Sequence, residues 1–134
     1  MIRIAKLLLV AGVAVFTTLV VFNNLADFGT NYVFVRHVLL MDTLQPGGRV
    51  MGRALTSPLF HLAFYLCIIA WEIVTAILLW WGVASLLRAR RLPAAEFNAA
   101  KSIPALALSL SLTMWLVAFL AIGGEWFLLW ELPA

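Results

Sequence analysis

Residues 57–91 read SPLFHLAFYLCIIAWEIVTAILLWWGVASLLRARR. Between Pro58 and Arg88 this run carries one formally charged side chain, Glu72, and apolar residues occur on every side of the helix it would form. A soluble helix keeps a polar outer face, whereas one that is apolar all round lies in a protein core or in lipid. At about 1.5 Å per residue the run exceeds the ~30 Å hydrocarbon core of a bilayer, so it spans with a tilt or projects beyond the core. Ser57 is a favourable N-cap and Pro58 suits the first helical position. Arg88, Arg90 and Arg91 mark the headgroups at the other end, and Trp80 and Trp81 suit an interfacial belt. The reading places a membrane span at about 59–87.

Composition extends that reading to the whole chain. Of 134 residues 65% are hydrophobic and 11% charged, against about 25% charged in soluble domains. A chain this short has too little interior to hide the surplus, so lipid is its expected solvent. The formal net charge of +3 does not point to nucleic acid, because the cations flank apolar segments. The single Cys67 excludes an intrachain disulfide, and its apolar surroundings suggest a buried, inert thiol.

A first span is expected over about 7–26, an apolar run behind Arg3 and Lys6. A secretory signal peptide has a similar basic start, but this run passes into Asn23, Asn24 and Asp27 without an Ala-x-Ala site, so a retained helix is expected. A third span is expected over about 103–122, with Ser102 as cap, Pro104 in the first turn and a break at Gly123 and Gly124. Beyond it Glu125, Trp126, Phe127, Trp130 and Glu131 read as a short interfacial segment with aromatic anchors. The connector 88–102 suggests a helix on the bilayer surface, and the loop 23–58 holds an apolar stretch, Tyr32 to Met41, too short to span. That stretch reads as a re-entrant or interfacial helix, followed by a turn at Pro46, Gly47 and Gly48. The expected fold is therefore all-α: one membrane domain, 1–134, with three transmembrane helices, a short helix and an aromatic C-terminal segment.

Short basic loops stay cytoplasmic. Arg3, Lys6, Arg88, Arg90, Arg91 and Lys101 fall on one side, against Arg36, Arg49 and Arg53 on the other. The N-terminus is thus expected in the cytoplasm, with the long loop and the C-terminal tail outside, in a bacterial inner membrane.

Glu72 is the most informative side chain, since an ionised carboxylate near the centre of a span costs at least about 2.5 kcal/mol. At 100° per residue His61 and Tyr65 fall within about 20° of it around the helix, and Thr75 is a turn away. Thr17, Thr18, Ser111 and Thr113 lie near the middles of the other spans and are candidates to meet it. A proton or ion relay is one reading. A hydrogen-bonded carboxyl that fastens helices is the other, and it is favoured because no second acid or cation shares the spans.

His37 and His61 are possible metal or haem ligands, but neither a Cys-x-x-Cys-His site nor a ligand spacing accompanies them, so polar contacts are expected. Asn23, Asn24, Asp27 and Asn31 supply oxygens that suit a cation, yet such residues at a helix exit more often form a turn, with Asn31 capping the next helix. Ala105, Ser109 and Thr113 form a small-residue stripe suited to close helix packing. No phosphate loop, paired catalytic carboxylates, Ser-His-Asp set or zinc-spaced cluster is present, and no enzyme is expected. No cofactor is assigned from these residues.

Several stretches together carry a family resemblance: Phe22-Asn23-Asn24-Leu25, Asp27-Phe28-Gly29-Thr30-Asn31-Tyr32, His37-Val38-Leu39, Met41-Asp42-Thr43, Thr56-Ser57-Pro58, Trp71-Glu72 and Gly123-Gly124-Glu125-Trp126-Phe127. The chain resembles, over nearly its whole length, a bacterial family of predicted small integral membrane proteins of uncharacterised function. The resemblance implies a fourth membrane helix beyond the Gly-Gly-Glu-Trp segment; the residues up to Ala134 supply three. Two functions are weighed: a non-catalytic accessory subunit of a larger membrane complex, respiratory or photosynthetic in type, and a small transporter or proton-handling protein centred on Glu72.

Overall fold

The computed structural model describes residues 1–41 and 55–127, and over them the chain is all-α, with no strand. The elements in order are α1 (Ile2–Ala26), α2 (Phe28–Leu40), α3 (Pro58–Ala89), α4 (Ala94–Ala99) and α5 (Ser102–Thr113), which runs on as a π-helix over Met114–Trp126. Among the described residues three stretches are long and apolar enough to cross a membrane: Ile2–Ala26, Pro58–Ala89 and Ala94–Gly124. The turn at Pro46, Gly47 and Gly48 and the tail from Leu128 to Ala134 lie outside the described residues.

The helix ends follow local chemistry. Ser57 Oγ accepts the Phe60 N–H at 3.4 Å with Pro58 at the first helical position, as its residue type predicts. At the other end of α3, Arg88 donates to the Ala84 carbonyl and Arg90 to the Leu87 carbonyl, and Arg3 of α1 reaches across to the Arg90 and Leu92 carbonyls. Cations there meet the negative end of the helix dipole and occupy acceptors the helix leaves free. Met41 closes α2 in the left-handed region (φ 53°), its N–H shared between the His37 and Val38 carbonyls. That backbone costs about 1–2 kcal/mol for a residue with a Cβ. Its side chain is fully buried with Val38, Leu39 and Phe127, which offsets the cost.

Three local expectations are corrected. Ser102 does not cap α5: Lys101 holds that position, and Ser102 Oγ donates back to the Ala99 carbonyl, because α4 leads almost directly into α5. Asn31 does not cap α2 either; it lies one turn inside the helix, whose N-cap is Asp27. Nor does the third span break at Gly123 and Gly124. Both glycines are buried, and the π-helix carries through them to Trp126, where Phe127 N–H donates to the Ile122 carbonyl five residues back. In an apolar medium an unpaired peptide group costs several kcal/mol, so glycine alone does not end a helix there.

The helix α3 is the centre of the bundle, with α1 along one side and α5 along another, while α1 and α5 barely touch. An apolar core at the basic end joins Val10 and Ala14 of α1, Leu79, Leu86 and Ala89 of α3, Phe97 of α4 and Ala107 of α5. The closest approach there is between Gly82 and Pro104: a Cβ built on Gly82 would stand 3.0 Å from the Pro104 Cα. Most remaining large apolar side chains point outward, among them Leu9, Phe16, Leu66 and Val74. Cys67 is among the exposed residues, contrary to the expectation of a buried thiol, because it lies on the face of α3 turned away from the bundle.

Candidate functional site

The buried face of α3 changes character along its length. Leu79, Gly82, Leu86 and Ala89 occupy it toward the basic end, while His61, Tyr65, Glu72 and Thr75 occupy it toward the other. These four polar side chains are 1%, 2%, 5% and 2% exposed, so the stripe computed from helical spacing faces the interior.

Glu72 is held by α1. The Asn24 amide donates to Glu72 Oε2 at 2.7 Å, and Tyr65 Oη donates to the Asn24 carbonyl at 3.0 Å. One asparagine therefore links α1 to two turns of α3, through its side chain and its backbone. The Tyr65 ring is packed by Phe28 edge-on at 4.9 Å and by Tyr32 at 5.9 Å, which brings the start of α2 to the same spot. The junction of α1 and α2 is closed by its own polar groups: the Asn23 carbonyl accepts the Asp27 N–H at 2.9 Å and the Asn31 amide at 3.1 Å. Asn23, Asp27 and Asn31 thus form a turn, and Asn24 alone of the four bonds to Glu72.

A half-open cavity borders Glu72, lined also by Thr17 of α1, Thr75 of α3 and Ser111 of α5, with Phe16, Trp71 and Trp115 as aromatic walls. It measures about 10 Å³ counted as space open to a water centre, close to the minimum for one ordered water. Thr17 and Ser111 therefore line the same cavity as Glu72. Thr18 does not, since its hydroxyl donates to the Ala14 carbonyl and accepts the Trp80 indole N–H at 2.8 Å. Thr113 is exposed, as are Ala105 and Ser109, so the small-residue stripe of α5 faces away from the bundle.

His61 stands at the start of α3 with Nε2 2.6 Å from the Leu55 carbonyl. Among the described residues its buried Nδ1 has no partner. The structure assigns His37 to the partly exposed side of α2. Among the described residues no group of three or more His, Cys, Asp or Glu side chains is placed to hold a metal ion.

Three features escaped the residue-by-residue reading. Trp71 donates its indole N–H to the Leu110 carbonyl at 3.1 Å, and Trp80 bonds to Thr18, so both indoles tie helices together across the bundle. The Gly82–Pro104 approach fixes α3 on α5. The Asn24–Glu72 bond joins residues 48 positions apart. No local signal marks any of these, because each depends on which faces meet.

Chemically, the site is a neutral amide, a phenol and three hydroxyls around one carboxyl. It can fasten helices and hold a small polar guest; it offers neither a nucleophile with a base nor a second carboxylate. Neither a curated protein nor a solved structure matches the chain. A family described as predicted small integral membrane protein (DUF2165) matches residues 2–134. Three apolar spans, with α3 packed between the other two, agree with that description, and the chain belongs to this family of small integral membrane proteins.

Proposed function

We propose that the protein is a small non-catalytic subunit that packs against a larger complex in a bacterial cytoplasmic membrane. The observation that carries this reading is the outward stripe of Ala105, Ser109 and Thr113: the fold does not use it, and small residues allow another helix to approach closely. The Ser109 hydroxyl already donates to the Ala105 carbonyl at 2.8 Å, so the stripe presents little unmet polarity to lipid or to a partner. Ser109→Leu is expected to leave insertion and folding intact while reducing recovery of the assembly several-fold on purification in mild detergent. A homogeneous free monomer at native expression would overturn the proposal.

A second reading, a small transporter or proton-handling protein, is favoured by the cavity beside Glu72. Its test is ion or proton movement in proteoliposomes: loss of such movement in a fully folded Glu72→Gln variant supports it, and none in the native protein removes it. For either reading the basic end is assigned to the cytoplasm. In a Cys67→Ala background, Asp42→Cys is expected to react with a membrane-impermeant maleimide from outside the cell, and Arg91→Cys only after permeabilisation. The opposite pattern reverses the orientation.

A further inference from the structure

At the basic end two cations stand on one aromatic ring, and a third lies beside them. Phe97 of α4 is buried, with the Arg3 guanidinium 4.7 Å and the Lys101 ammonium 5.3 Å from its ring centre. Lys6, one turn along α1 from Arg3, is near enough to Lys101 for the two charges to act on each other. Two ammonium groups carry donors and no acceptor, so neither satisfies the other, and their charges repel. Arg3 is occupied by the Arg90 and Leu92 carbonyls, and Lys101 has one acceptor in Asn98 Oδ1 at 2.7 Å; Lys101 retains further donors, as an ammonium has three.

We propose that Lys6 and Lys101, backed by Arg3 on Phe97, form a binding site for the headgroup phosphate of an anionic glycerophospholipid. An anion placed between the two ammonium groups accepts from both and removes their repulsion. The source is lipid because the cluster stands at the ends of membrane spans, and because Ile4, Leu8 and Leu9 of α1 and Leu106 of α5 are exposed on those spans, where acyl chains can lie along them.

The test uses the full chain in nanodiscs of phosphatidylglycerol and phosphatidylcholine, extracted into detergent and read by native mass spectrometry for retained lipid. Phosphatidylglycerol is expected to be enriched about fivefold or more, as attraction of lysines to an anionic headgroup predicts. The Lys6→Gln, Lys101→Gln double variant is expected to lose that enrichment; Lys6 is exposed and Lys101 partly so, and neither belongs to the apolar core, so the fold should persist. Arg88→Gln with Arg91→Gln removes the same charge elsewhere at this end and is expected to retain it. Equal loss in both pairs would assign the effect to general surface potential and overturn the site. Displacement of the lipid by inorganic phosphate at equal concentration would overturn the lipid as its occupant.

Discussion

Gly82→Leu is expected to separate α3 from α5 and to destabilise the helical bundle by about 1–3 kcal/mol or more, the range for forcing extra carbons into a filled interface. The first added carbon already meets Pro104 at 3.0 Å from Cα and from Cγ and 3.2 Å from Cβ. A proline ring cannot rotate away, and its Cα moves only with the helix. Gly82→Ala should therefore show a smaller loss in the same direction. Gly12 is the internal control, since a Cβ there meets nothing within 4 Å. Gly12→Ala should be neutral or slightly stabilising, because alanine is the better helix former by about 1 kcal/mol. Unfolding by denaturing detergent, followed by tryptophan fluorescence, measures all three. Equal stability of the Gly82 and Gly12 variants would show that the α3–α5 contact does not hold the bundle together.

Removal of the Glu72 carboxyl is expected to act on a different pair of helices. Glu72→Ala deletes the acceptor of the Asn24 amide at 2.7 Å and leaves that partly buried donor without its partner. Polar contacts between membrane helices are typically worth about 0.6 kcal/mol and reach about 1–2; the stranded amide puts this one toward the upper end. Glu72→Gln retains an oxygen acceptor of similar shape and should keep most of the stability. Asn24→Ala should match Glu72→Ala, and the double variant should lose less than the sum, because both singles break one bond. Additive losses would mean that the two side chains contribute separately.

The two predictions divide the bundle into halves that were unequally legible. The four buried polar residues of α3 were legible as a stripe, because helical periodicity alone places His61, Tyr65, Glu72 and Thr75 on one side. Which groups meet that stripe was not. Thr17 and Ser111 were expected from their mid-span positions and do line the cavity, whereas Asn24 was read with Asp27 and Asn31 as part of a helix exit. Its amide reaches Glu72 because α1 continues as helix to Ala26, which carries residue 24 onto the face that packs against α3. The stripe of α5 was legible as small but not as outward, since spacing orders residues around a helix without saying which side is covered.

Taken alone, the sequence determined the class: uncharged apolar runs of this length are stable only where lipid replaces water, and a backbone in lipid must close its hydrogen bonds within a helix. It determined as well where α3 begins, through Ser57 and Pro58, and that one acid lies among apolar neighbours. Only the tertiary structure decided that Asn24 answers Glu72, that Gly82 admits Pro104, and that Trp71 and Trp80 bond to Leu110 and Thr18 across the bundle. The reason is physical. Transfer into lipid is close to a sum over residues and can be read along a chain, but helix association there rests on close packing and on single hydrogen bonds, and these exist only once particular faces have met.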